Sequence, residues 1–493
     1  MTGSVQRVES PAPGQPATAA GVTAFSASEI DLSCRALLVL FSAGALWLVV
    51  STLFALFASV KYHAPGLFAH WAWFTPGRLR PAATDAFVYG FGIQTSLAVL
   101  VWIFCRLGRI VLIGSRTVAL AGLGWNFGVL LGFFGILAGG STGFDLLEMP
   151  RYAHPFLFGS FALIGIAAMV TFHFRRQPDL YPSHWYLFGG LFWFAWIYSA
   201  AVLLLLFFPV RGVMQAVVNA WYVNNLFYLW FSAVGMGVIF YFVPKLLGVP
   251  LRSRALAAFA FWTLAIFGAW NGMVLLIGGP IPAWLLSVSV YANVLLVVPL
   301  LAVISILTRT GGESREVFEP AVLRFIRFGI ASFVAVVLLN ILYGLPIVSR
   351  LTHFTFAETS RTLLAEYGFI GMVLFGSVYY ILPRVANVDW PFPNLIRTHY
   401  LCTAIGIGII FVALTLGGLI QGIRMNLNAV NFISLGKGVV PFIGLMTLGF
   451  LILLIGQAAF ARNVFTLLHV WGRPFRQTVV TILELVYPGR TRP

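Results

Sequence analysis

Charge is what this chain has least of. Asp, Glu, Lys and Arg make up 9% of its 493 residues, against about a quarter in a soluble domain, and so little charge cannot solvate a water-soluble globule. Cysteine is scarce as well. Cys34, Cys105 and Cys402 are the only three, and no two share a short spacing, which argues against a disulfide framework or a cysteine zinc site. Histidine is thin where metal chemistry would need it. The eight are His63, His70, His154, His173, His184, His353, His399 and His469. Each is expected in a loop, in a tail or within about a turn of a helix end, and none at mid-membrane depth.

Apolar residues are abundant instead. They make up 60% of the chain, and the mean hydropathy is +0.95. Runs of about 20 residues can each cross about 30 Å of hydrocarbon as a helix. Twelve are legible, near 36–59, 82–105, 116–139, 153–175, 184–208, 214–243, 255–278, 283–307, 322–346, 360–383, 398–421 and 438–461. The expected fold is therefore an all-α integral membrane protein with twelve transmembrane helices.

Basic residues favour the cytoplasmic side. Of the thirty Lys and Arg, 21 fall in segments on the side of the two termini and nine on the other, so both termini are expected in the cytoplasm. The net charge of +16 follows from this bias and from attraction to anionic lipid. Membrane lipid is the expected partner, and nucleic acid is not.

Three regions are expected. Residues 1–33, with "SPAPGQPATAAG", form a flexible cytoplasmic tail lacking the marks of a signal peptide. Residues 34–462 form the membrane domain, and 463–493 a basic cytoplasmic tail. The mixed-charge stretch "TRTGGESREVFEP" at 308–320 reads as a solvated linker. His63 and His70, flanking "APGLFA", read as interface anchors, and the other histidines the same way. No internal repeat is evident, which weakens an inverted-repeat transporter.

Several stretches carry a resemblance: "TPGRLRPAATDAFVYGF" (75–91), "FFPVRGVMQAVVNAWYVNNLF" (207–227), "YFVPKLLGVP" (241–250), "WNGMVLLIGGPIPAW" (270–284) and "VYYILPR" (378–384). Over nearly its whole length the chain resembles the catalytic subunit I of cbb3-type cytochrome c oxidases, the C-family of the haem-copper oxidases. The resemblance implies twelve helices with both ends cytoplasmic in a bacterial inner membrane. It also implies partner subunits such as membrane-anchored cytochromes c. The family's two haems and one copper are held by six histidines and reduce oxygen to water while protons move.

None of those six positions is histidine here. The haem-ligand positions fall at Ala83, Arg361 and Leu363, and the copper-ligand positions at Asn224, Val274 and Leu275. The position of the family's redox tyrosine matches Gly268, which can supply neither an electron nor a proton. Asp145 and Glu148, in "STGFDLLEMPRY", stand where the resemblance puts carboxylates near the outer haem edge; Arg211, Lys245 and Arg384 also stand in matching segments. Neither haem nor copper is expected on this chain.

Removing a macrocycle would leave a void of several hundred Å³, the size of a ligand pocket. At about 24 cal/mol per Å³ that void costs roughly 10 kcal/mol, so collapse onto side chains is expected, with lipid or quinone as the alternative filling. Arg361 is expected to pair with Glu358 or Glu366. Asn224, Asn225, Gln94, Asn271 and Asn340 are expected to join helices by hydrogen bonds.

The function these features favour is a ligand-less subunit I paralogue acting as a structural or regulatory member of a respiratory complex. One alternative is an active oxidase or nitric oxide reductase with unconventional ligands such as Met236, Met273 or His353. Another is a channel, transporter or sensor reusing the emptied pocket, for which Arg361, Glu358, Glu366, Asn224 and Asn225 are the candidate polar site.

Overall fold

The computed structural model describes residues 25–312, 320–427, 431–473 and 477. Among the described residues, twelve helices long and apolar enough to cross a membrane follow one another: α1 Ala27–His63, α2 Pro76–Gly108, α3 Ser115–Leu137, α4 His154–His173, α5 Pro182–Phe207, α6 Val213–Leu247, α7 Arg254–Leu276, α8 Ala283–Gly311, α9 Ala321–Tyr343, α10 Phe356–Ala386, α11 Pro393–Met425 and α12 Ile433–Trp471. Each overlaps one of the spans expected from hydropathy.

The ends differ from expectation. Residues 27–33, assigned to the flexible tail, are helical because Ser26 and Glu29 close a capping box, each side chain bonding the other's backbone N–H. Asp31 then docks this start on α2, accepting from Trp102 Nε1 at 2.9 Å and pairing with Arg106 at 3.4 Å. At the far end, α12 runs on to Trp471, past the expected boundary at 462. Residues 1–24, 474–476 and 478–493 of the expected tails, and 313–319 of the expected linker, lie outside the described residues.

Burial sorts the helices into two sets. The apolar stretches of α2, α6 and α10 are 100%, 94% and 89% buried, against 33–56% for the other nine. A helix hydrophobic all round belongs at the centre of a bundle, and these three form it. Each contains a π-helical segment, at Ala86–Ile93 in α2, Leu226–Ser232 in α6 and Leu364–Gly371 in α10, and α7 ends in a 3₁₀ segment, Asn271–Leu276. Within the α2 segment Gly90 lets α1 approach closely, since a Cβ there would lie 2.7 Å from Trp47. Trp47 Nε1 donates to Asn126, which donates to Gln94 Oε1, both at 3.0 Å. The expected joining role of Gln94 is thus filled by a bond between α2 and α3.

The histidines require a correction. His154, His184 and His399 are buried, and His399 is the seventh residue of α11, nearly two turns in. It lies 3.0 Å from Tyr379 Oη and 3.1 Å from Gln457 Oε1. These are core groups with partners, and burial removes them from any anchoring role at an interface.

Candidate functional site

A cavity with about 120 Å³ of free volume lies among α2, α6, α7, α8, α9 and α10 and the connection 344–355. It gathers Asn224, Val274, Leu275, Arg361, Glu358 and Glu366 on its walls. Three of these are the positions that the resemblance matched to copper ligands and one a position it matched to a haem ligand, brought together from α6, α7 and α10. Ala83, Leu363, Asn225 and Gly268 are not among the lining residues.

The helices that carry these positions are distorted beside them. Ala83 lies three residues before the π segment of α2, Asn224 two before that of α6, and Arg361 and Leu363 three and one before that of α10. Val274 and Leu275 sit inside the 3₁₀ end of α7. Such departures from α geometry concentrate at functional sites.

Amides build one wall. Asn224 Nδ2 donates to the Gly268 carbonyl at 2.7 Å, Asn271 Nδ2 to Asn293 Oδ1 at 3.2 Å, and Asn293 Nδ2 to the Asn340 carbonyl at 2.9 Å. Asn340 in turn donates to Tyr228 Oη. Asn224, Asn271 and Asn340 therefore join helices as expected. Asn225 does not: it is fully buried, and neither of its side-chain polar atoms has a partner among the described residues. At Gly268 an added Cβ would lie 2.8 Å from Tyr228 Cβ, so the Tyr228 side chain from α6 takes the space beside that position.

Arg361 overturns another expectation. Neither Glu358 nor Glu366 forms an ion pair with it; Glu358 is held instead by His353, Nδ1 to Oε1 at 2.8 Å. Arg361 Nε is buried with no partner, and among the described residues no carboxylate comes within 4 Å of the guanidinium. Spacing along one helix could not foretell this, because the competitor for Glu358 arrives from the connection before α10.

The far side of α10 is closed by packing. Leu363 is half-buried against the core. Beside Ala83, Ser51 Oγ donates to the Ala83 carbonyl at 2.8 Å and lies 3.4 Å from Tyr367 Oη, while the Tyr367 and Phe87 rings pack with centroids 4.6 Å apart. Side chains fill the space beside Ala83, while a cavity persists on the Arg361 side.

Sequence reading missed one pair. Asp85 on α2 and Glu148 in the 138–153 connection are buried carboxyls facing each other. Burial, and after it the Asp85 charge, push the Glu148 carboxyl well above its usual range. The signal was available: an acid inside an apolar span is expensive and draws a partner. Tyr89 Oη donates to the Leu146 carbonyl at 2.7 Å and meets Tyr222 Oη at 2.6 Å, fixing the same connection over α2 and α6.

These residues do not fit two haems and a copper. Methyl, isopropyl and isobutyl groups cannot ligate iron or copper, a guanidinium repels a cation, and the cavity is well below the several hundred Å³ of a cofactor-sized pocket. The unconventional ligands do not assemble either. Met236 and Met273 are buried outside the lining, and only His353 reaches the cavity, with Nδ1 engaged by Glu358.

The model of the family "Cytochrome C and Quinol oxidase polypeptide I" matches residues 35–452. Among similar proteins, "Cytochrome c oxidase subunit 1 homolog, bacteroid" of Bradyrhizobium diazoefficiens is 23% identical over 86% of this chain and 80% of its own length. "Cbb3-type cytochrome c oxidase subunit CcoN1" of Stutzerimonas stutzeri is 23% identical over 76% of this chain and 81% of its own. A solved haem-copper terminal oxidase, determined as a dimer by cryo-EM, superposes with a TM-score of 0.68 at 14% identity, covering 88% of this chain and 84% of that one.

Proposed function

Since this chain belongs to the cytochrome c and quinol oxidase polypeptide I family, we propose that it is a ligand-less subunit I paralogue, a structural or regulatory member of a respiratory complex in a bacterial inner membrane. Both termini lie in the cytoplasm in this reading, in keeping with the 21 basic residues on their side against nine on the other. The partners are other subunits of such a complex, membrane-anchored cytochromes c among them.

One observation carries the reading. The helices α2, α6, α7 and α10 keep their distortions at the ligand positions, while the side chains there are Ala83, Asn224, Val274, Leu275, Arg361 and Leu363. A scaffold that retains its packing faces but has no donors at its centre can still bind neighbours, because function resides in sites and not in the fold.

The test is purification from native membranes with mild detergent, followed by absorption spectroscopy, metal analysis and identification of co-purifying subunits. The expected result is a chain without a Soret band of its own, recovered with oxidase or cytochrome c subunits. Stoichiometric iron porphyrin or copper on the isolated chain would overturn the ligand-less reading, and recovery as a lone monomer would overturn the role in a complex.

A further inference from the structure

We propose that the cavity binds a small organic carboxylate, anchored by Arg361. The inference rests on the reading above, in which no haem or copper shares this space.

A guanidinium cannot shed its charge in a protein, and a buried cation without a counter-charge is unfavourable. Arg361 is half-buried with its Nε buried and without a partner, its neighbour Glu358 is committed to His353, and Glu366 does not pair with it. The missing anion can come from a ligand. Arginine's planar fork matches a carboxylate through two parallel hydrogen bonds.

The rest of the cavity specifies what the carboxylate carries. Much of the lining is apolar, including Val88, Leu226, Phe227, Phe231, Val336 and Ile370. Its 120 Å³ of free volume is close to that of an engineered cavity of about 150 Å³ that admits benzene. The ligand is therefore an acid with a short apolar body, from propionate up to roughly benzoate in bulk. A bare inorganic anion would leave the apolar wall unused. Entry is at the edge formed by His353, Glu358 and Thr362, where Thr362 is exposed.

The experiment uses the full chain purified in detergent at constant chloride. Benzoate and propionate are titrated against the neutral isosteres benzamide and propionamide, with melting temperature and tryptophan fluorescence as readouts. A saturable benzoate response absent with benzamide is expected. Arg361→Gln should weaken benzoate binding by at least about tenfold, and its ligand-free form should melt no lower than the wild type, because a half-buried charge without a carboxylate partner has been removed. Val274→Phe, which fills the cavity and leaves the charge, should abolish binding as well. Equal responses to acid and amide, undiminished binding in Arg361→Gln, or equally tight saturation by chloride or phosphate would overturn the proposal. An equimolar Soret band would instead remove its premise, so the two failures are distinguishable.

Discussion

His353 Nδ1 lies 2.8 Å from Glu358 Oε1, and this contact deprives Arg361 of the carboxylate three residues before it. His353→Ala should release Glu358 to pair with Arg361 along the helix. A surface-type pair of this spacing contributes about 0.2–1 kcal/mol, so benzoate affinity should fall about 1.4- to fivefold. Calorimetric titration of both proteins checks this, and an unchanged affinity would show that Glu358 cannot reach Arg361.

Gly268 is held against Tyr228, with only 2.8 Å between the Tyr228 Cβ and a Cβ placed at 268. Neither backbone can give way easily inside the bundle. Gly268→Ala should lower stability by about 1–3 kcal/mol through overpacking, and Gly268→Tyr by more. Thermal unfolding in detergent provides the measurement; wild-type stability in Gly268→Ala would mean that α6 and α7 can move apart.

The Glu148 carboxyl is raised by burial first and by Asp85 second. A carboxyl raised on folding stabilises the fold while it stays protonated. That contribution is complete below the unfolded value of about 4.3 and is lost as pH climbs through the raised folded value. The wild-type melting temperature should therefore decline as the pH rises above the unfolded value, and Glu148→Gln should flatten the profile. A decline of the same slope in the variant would assign the effect to another group.

Asn224, Val274 and Leu275 line one cavity. Replacing all three by histidine should create a copper site, since three imidazoles converging on one point suit that ion. About one copper per chain is expected after dialysis against Cu(II), measured by elemental analysis. Copper no higher than in the wild type would show that these side chains no longer converge.

Hydropathy made the twelve helices legible because each must bury about 20 apolar residues, but it located their ends poorly. The capping box at Ser26 and Glu29 extends α1 into residues expected to be a tail, and the apolar run "NVFTLLHVW" at 463–471, assigned to the basic tail, continues α12 with Val464 and Leu467 buried. The site was legible as positions and not as contacts. Asn224 was expected to find a partner and did, on the Gly268 carbonyl, since a buried amide has few alternatives. Asn225, its neighbour, found none. The fate of Arg361 depended on a histidine from another segment, and the meeting of Asp85 with Glu148 on a connection folded over α2. Such encounters are set by tertiary structure and leave no spacing in the sequence.

The π segments in α2, α6 and α10 point to an asymmetry in how such a protein can change. Each π-bulge amounts to one residue inserted into an α-helix. A side chain beside it can be exchanged alone, with consequences confined to its neighbours. Deleting the extra residue would rotate all the helix beyond it by about 100°, turning Trp102, Tyr241 or Tyr379 away from its present contacts at a single stroke. Side chains on this scaffold are therefore exchangeable one position at a time, whereas the backbone irregularities are locked in by everything packed downstream.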